Sequence, residues 1–143
     1  MWGGEEPVPT AEPLCFTAEE ANSTVALSAV GSAPVVSLEC STDGSTWSPF
    51  VVGTTTVTLA NVGDKVYVRA TSAGNTGMGT STSNYNMFVM TGKIAASGNV
   101  DTLLDQNGNA TLTSYCYIHM FDGCASLTTA PELPATTLAE RCY

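Results

Sequence analysis

The chain repeats itself near its end. Cys116-Tyr117 opens the segment CYIHMFDGCASLTTAPELPATTLAER, and Cys142-Tyr143 opens it again 26 residues later. A motif returning at a period of roughly 20–50 residues is the signature of a solenoid, in which each repeat is one stackable coil. A single coil cannot bury its apolar face, and roughly three or more are needed for stability. The residues after about Asn99 are therefore expected to begin a longer array.

Composition limits what else the chain can be. Hydrophobic residues supply 43% of it, enough for a packed core, whereas charged residues supply only 12%, against the roughly 25% of an average domain. Solubility then falls to Thr, Ser, Asn and Gly, a balance that suits β-rich secreted or virion-surface proteins better than cytosolic enzymes. Thirteen acidic side chains oppose four basic ones (Lys65, Arg69, Lys93 and Arg141), for a net charge of -9. With no Lys/Arg cluster to displace counterions from phosphates, nucleic acid is excluded as a partner. No apolar run approaches the ~20 residues that span a bilayer. The opening MWGGEEPVPTAEP lacks the basic and apolar regions of a secretory signal. The expectation is either a signal removed upstream or exit inside a phage particle released by lysis.

Five cysteines (Cys15, Cys40, Cys116, Cys124, Cys142) cannot all pair internally. Buried thiols acting as small apolar fillers are the favoured reading, with a Cys15–Cys40 bridge as the main exception. No CxxC occurs and His119 is the one histidine, so neither a metal nor another cofactor is expected.

Residues 1–13 read as an extended leader or tether, with three prolines and no periodicity. Residues 14–98 carry the punctuation of an all-β module. A strand begins at Phe16 and continues through Thr24-Val-Ala-Leu27, although Thr17-Ala-Glu-Glu20 also fits a short capped turn. In 35–40, Val36, Leu38 and Cys40 share one face. Asp43-Gly44 turns the chain into a return strand over 47–52. Residues 54–59 alternate hydroxyl and aliphatic side chains, Asn61 to Asp64 turn, and 65–70 put Val66, Val68 and Ala70 inward. The polar stretch 71–83 predicts a long exposed loop, and 85–90 and 93–96 close the module. Six or seven strands at these intervals predict a mainly β fold, an immunoglobulin-like β-sandwich.

Residues 99–143 predict a cap and a first repeat. Val100 to Asp105 form a short helical or capping turn, and Asn107-Gly108 a turn. Tyr117, Met120 and Phe121 fall at i, i+3, i+4, which predicts a short helix over 114–121. Ser126-Leu-Thr-Thr-Ala then reads as a strand, and Pro131 and Pro134 forbid helix beyond it. The predicted repeat core is Tyr117, Met120, Phe121, Cys124, Leu127, Leu133 and Leu138.

The segment CYIHMFDGCASLTTAPELPATTLAERCY resembles the repeats of BspA-like leucine-rich-repeat surface proteins of Bacteroidales and of the gut bacteriophages that infect them. Met120-Phe121, Gly123-Cys124, Ser126-Leu127 and the run from Leu133-Pro134 to Leu138 carry the match. The strings CFTAEEANSTVAL, LECSTDGSTWSPF, TTTVTLANVGDKVYVRA and MTGKIAASGNV likewise resemble the β-module that precedes such repeats. The resemblance implies an immunoglobulin-like module leading into the start of a leucine-rich-repeat solenoid that presents a binding surface.

Motifs suggestive of chemistry are weak. Ser41-Thr-Asp-Gly-Ser-Thr-Trp47 resembles the Asp-box of sialidase propellers with one residue fewer between Asp and Gly. That is a structural turn, unless Trp47 serves as a sugar-stacking platform. Trp47 and Tyr67 are accordingly the candidate ligand-facing residues. Asp105-Gln-Asn-Gly-Asn109 resembles the start of a calcium loop but has Gly108 at the fourth position and Cys116 at the twelfth, which suits a plain turn better. His119 has no second histidine or acidic neighbour to make a triad, and Glu19-Glu20 would point to opposite faces of a strand. Asn22-Ser-Thr24 and Asn109-Ala-Thr111 match the glycosylation pattern, which arises often by chance in such a chain. No catalytic residue is nominated.

Taken with the resemblance, these features predict a non-enzymatic virion surface protein, a capsid-decorating or tail-associated fibre. Its leader would bind phage capsid or tail proteins, its repeats would face host surface glycan or protein, and homo-oligomers are expected because exposed sheet edges favour self-association. The alternatives are a Bacteroidales cell-surface adhesin on the bacterial outer surface and, less favoured, an accessory module of a carbohydrate-active enzyme.

Overall fold

The computed structural model describes residues 12–108, 115–117, 120–121 and 124–129. Most of the leader, His119, Leu133, Leu138 and the second Cys-Tyr pair lie outside the described residues. Among the described residues, short alternating runs produce nine strands before residue 98: β1 (Leu14–Ala18), β2 (Ser23–Val30), β3 (Leu38–Ser41), β4 (Ser48–Pro49), β5 (Thr56–Leu59), β6 (Lys65–Ala70), β7 (Gly79–Ser81), β8 (Asn84–Thr91) and β9 (Ile94–Ser97). A 3₁₀ helix (Val100–Leu103) and β10 (Leu127–Thr129) follow.

The strands form two sheets, of order β10-β9-β1-β6-β3-β4 and β5-β2-β8-β7. Inward side chains of both sheets make one core, the arrangement of a β-sandwich. Leu14, Phe16, Val66 and Val68 from the first sheet and Val25 and Phe88 from the second are fully buried. Phe16 and Phe88 meet edge to face at 5.0 Å between centroids, which ties the sheets together. The expectation of a mainly β chain holds.

Several boundaries differ from the sequence reading, each for a local reason. The strand expected from Phe16 to Leu27 is two strands in different sheets, separated by a turn in which Asn22 takes φ 62. Pairing of β3 begins only at Leu38, opposite Ala70 where β6 ends. Just before it, the Asn75 side chain takes both the amide (2.7 Å) and the carbonyl (3.0 Å) of Ser37, and Val35 is left 97% exposed. The return strand shrinks to Ser48–Pro49, because proline cannot continue a ladder of donors. The stretch 71–83 is not simply an exposed loop: Met78 is fully buried, and Gly79–Ser81 pairs with β8.

The core does not stop at residue 98. Val100, Leu103, Leu104, Cys116, Tyr117 and Met120 belong to the same buried cluster as the sandwich strands. Asn99 caps the 3₁₀ helix, its side-chain oxygen accepting from the Asp101 amide at 2.8 Å. The helix expected over 114–121 is replaced in its described residues by turns, with Tyr115 at φ 62. These turns still deliver Tyr117 and Met120 to the core. Phe121 stacks on Phe88 at 5.4 Å.

β10 then runs alongside β9 in parallel, Leu127 opposite Ile94. All the other pairings between named strands are antiparallel.

Candidate functional site

The outer face of the six-stranded sheet gathers most of the polar and aromatic chemistry. In β6 the inward positions Val66, Val68 and Ala70 are buried, so Lys65, Tyr67 and Arg69 form the outward row. Cross-strand register puts Glu39 of β3 opposite Arg69, and Ser41 opposite Tyr67. Arg69 Nε donates to Glu39 Oε2 at 2.6 Å. Gln106, reaching round from beyond the 3₁₀ helix, donates its Nε2 to the same oxygen at 3.3 Å.

Trp47 joins this face through the β3–β4 turn. The Asp43 carboxylate accepts from the amides of Ser45 and Thr46 and from the Ser41 hydroxyl, all at 2.8 Å. Ser41 Oγ in turn accepts from the Asp43 and Gly44 amides. This closed loop of bonds holds the Asp43 carboxyl down at about 2; it also fixes where the chain leaves the turn, which is where Trp47 sits. The Arg69 guanidinium lies 3.8 Å from the centroid of the Trp47 ring, a cation–π contact. The turn also crosses Tyr67 closely, since a Cβ on Gly44 would stand 3.6 Å from Tyr67 Cε2. Partial burial pushes the Tyr67 phenol up from its ordinary value, with Cys15 and Glu12 adding to the effect, so it remains a hydroxyl donor at neutral pH.

Both sequence candidates, Trp47 and Tyr67, thus fall on one face. Glu39, Arg69 and Gln106 are not among the ligand-facing candidates of the sequence. The strict alternation of β6 was a signal for Arg69, since a residue two along from Tyr67 must share its face. No signal marked Gln106, which arrives from 67 residues away in sequence.

A second feature is an apolar cleft of about 530 Å³ at one end of the sandwich, lined by Val35, Val36, Phe50, Val51 and Val52 among others. Among the described residues no charged side chain lines it. Its buried polar residue, Asn86, spends its amide on the carbonyls of Pro34 and Met78. Among the described residues the cleft offers apolar surface and the hydroxyls of Ser37 and Thr71, but no ionisable side chain.

No family model, curated protein or solved structure matches this chain.

The remaining sequence candidates are dispersed. Glu19 and Glu20 lie in the exposed turn after β1, not on a strand, and Glu19 Oε1 accepts from Thr128 at 2.6 Å. Asp105 belongs to a tight turn, its carbonyl taking the Gly108 amide at 2.7 Å. Cys15 and Cys40 are free thiols on opposite faces of the six-stranded sheet, so the bridge between them does not form. Among the described residues no three His, Cys, Asp or Glu side chains converge as metal ligands, and no helix is long and apolar enough to cross a membrane. Of the predicted repeat core, Tyr117 and Met120 are buried, and Phe121, Cys124 and Leu127 pack partly buried against the main core.

Proposed function

We propose that this is a non-enzymatic display protein: an immunoglobulin-like sandwich carrying the first coil of a leucine-rich-repeat array, mounted on a gut bacteriophage virion as a capsid-decorating or tail-associated fibre. The leader attaches it to the particle, and the sandwich and coil face host surface glycan or protein.

The observation that carries this reading is the parallel β10–β9 pair. A parallel neighbour requires a long crossover, here the segment between Ser97 and Leu127, and of its described side chains Val100, Leu103, Leu104, Cys116, Tyr117 and Met120 enter the sandwich core. Solenoid coils stack their strands in this sense, each contributing one strand beside the last. β10 is the edge of its sheet among the described residues, the position from which a further coil would continue. The sandwich then acts as the cap that a repeat array needs at its end.

Immunogold electron microscopy of purified particles, with antibody raised to the chain, tests the placement. Gold on the virions is the expected outcome. Gold confined to bacterial cells would overturn it in favour of the adhesin.

A further inference from the structure

Most surface arginines sample many rotamers, but Arg69 is held twice. Its Nε is taken by Glu39 at 2.6 Å, and its plane is set against Trp47 at 3.8 Å. The side chain is only 27% exposed. Among the described residues its two Nη groups donate to no protein acceptor, so a planar pair of donors stands oriented and unspent. Beside it, Glu39 Oε2 already receives Arg69 and Gln106, which leaves Oε1 as an acceptor. Tyr67 lies two positions along the same strand, about 7 Å away, with a protonated hydroxyl that enters no protein hydrogen bond among the described residues. An acceptor and two kinds of donor are therefore fixed beside two aromatic rings.

We propose that this face binds an uncharged glycan, a hexopyranose whose C–H surface packs against the ring edges of Trp47 and Tyr67 while adjacent hydroxyls bridge Glu39 and Arg69. A pyranose presents an apolar patch next to hydroxyls that both donate and accept, so it matches rings flanked by a fixed carboxylate and guanidinium. Orientation set in advance lowers the entropy that binding must overcome. An extended peptide is a poorer fit, because β3 and β6 already have strands on both sides and offer it no free backbone. A carboxylated sugar would meet Glu39 within the site and a chain of net charge -9 around it.

This inference rests on the display reading and names the ligand class for it. The test uses the full chain with neutral gluco-, manno- and galacto-oligosaccharides, and with sialylated and uronate-containing ones as the anionic arm, followed by NMR titration. The expected result is saturable binding to a neutral oligosaccharide, with a shift of the indole N–H signal that disappears in Trp47→Phe. Trp47→Ala and Glu39→Gln should each weaken binding at least tenfold, and Tyr67→Phe several-fold. Val89→Ala, on the other sheet, should leave it unchanged. Because the wild-type titration reads the indole directly, a variant that fails to fold does not remove the test. Absence of binding to every neutral glycan, binding that ignores all three substitutions, or binding to anionic glycans that tightens in Glu39→Gln would each overturn the proposal. Unbound glycan with gold-labelled virions defeats this inference alone; bound glycan with label only on cells defeats the virion placement alone.

Discussion

Tyr117 Oη donates a 2.5 Å hydrogen bond to Asp101 Oδ1, with both residues buried. The bond joins the turn at 115–117 to the 3₁₀ helix that follows the sandwich. In Tyr117→Phe the ring still packs, but a buried carboxyl oxygen loses its donor, at a cost of about 1–3 kcal/mol. Asp101→Asn keeps an acceptor oxygen at that place and should cost less. Urea unfolding separates the two: a lower midpoint for Tyr117→Phe at unchanged slope, and a smaller shift for Asp101→Asn. If the segment carrying Tyr117 were merely draped on the sandwich, neither substitution would move the midpoint.

A different joint is made by one amide side chain. Asn75 accepts from the Ser37 amide at 2.7 Å and donates to the carbonyls of Ser37 at 3.0 Å and Leu103 at 2.8 Å. It acts as a short piece of strand between β3 and the 3₁₀ helix. Asn75→Ala should therefore lose about 2 kcal/mol, summed over bonds each worth roughly 1 kcal/mol or less net. Asn75→Asp should lose at least as much, since a carboxylate cannot donate to the two carbonyls. Hydrogen exchange gives the local readout, with faster exchange at the Ser37 amide in Asn75→Ala, whereas Asn75→Asp retains an acceptor for that amide and leaves its protection in place.

Glycines divide by what surrounds them. At Gly98 (φ 78) a Cβ would stand 2.1 Å from the Pro13 carbonyl oxygen, whereas at Gly63 (φ 94) it would meet nothing within 4 Å. Gly63→Ala should thus cost only the strain of a left-handed backbone, about 1 kcal/mol. Gly98→Ala adds a clash with main chain that cannot rotate away, at the point where Pro13 bridges Asn99. Its loss should clearly exceed that of Gly63→Ala when their thermal midpoints are compared.

These relationships also mark how far the sequence could be read. The strand Lys65–Ala70 was legible to the residue, because strict alternation against a buried face fixes both register and direction. The Asp43-Gly44 turn was legible from its residue types. Val35 was misread as strand because nothing local shows that Asn75, 38 residues from Ser37, occupies the adjacent ladder groups. Met78 was passed over in a polar run; its burial depends on partners far along the chain, its amide donating to the Cys116 carbonyl at 2.6 Å. The spacing of Tyr117, Met120 and Phe121 marked side chains that share a destination, but turns satisfy that spacing as well as a helix does. On the candidate glycan face the aromatic members were visible as residue types. Their orientation was not, because it is set by a charge pair across two strands and by an amide arriving from Gln106.

The turn that presents Trp47 carries its own pH dependence. Asp43 is held at about 2 against an ordinary 3.8, chiefly by the Thr46 amide, then by the Ser45 amide and the Ser41 hydroxyl. These donors favour the ionised form, so the folded value lies below the unfolded one, and the linked stabilisation has one sign. It is complete well above pH 3.8, falls as the unfolded chain begins to bind its proton, and is gone once pH passes below the folded value near 2. Since the carboxylate is fully solvent-exposed, the effect should show in local order and not in global unfolding. Carboxyl carbon NMR should give an Asp43 midpoint near 2, with the Ser45 and Thr46 amides losing protection over the same range. The indole signal of Trp47 should broaden or shift in step, because the turn and the ring are one mechanical unit. Asp43→Asn should abolish that titration and reproduce the acid-state indole signal at neutral pH. A Trp47 signal indifferent to both acid and Asp43→Asn would mean that Arg69 alone holds the ring, and that the bonded turn has no part in orienting it.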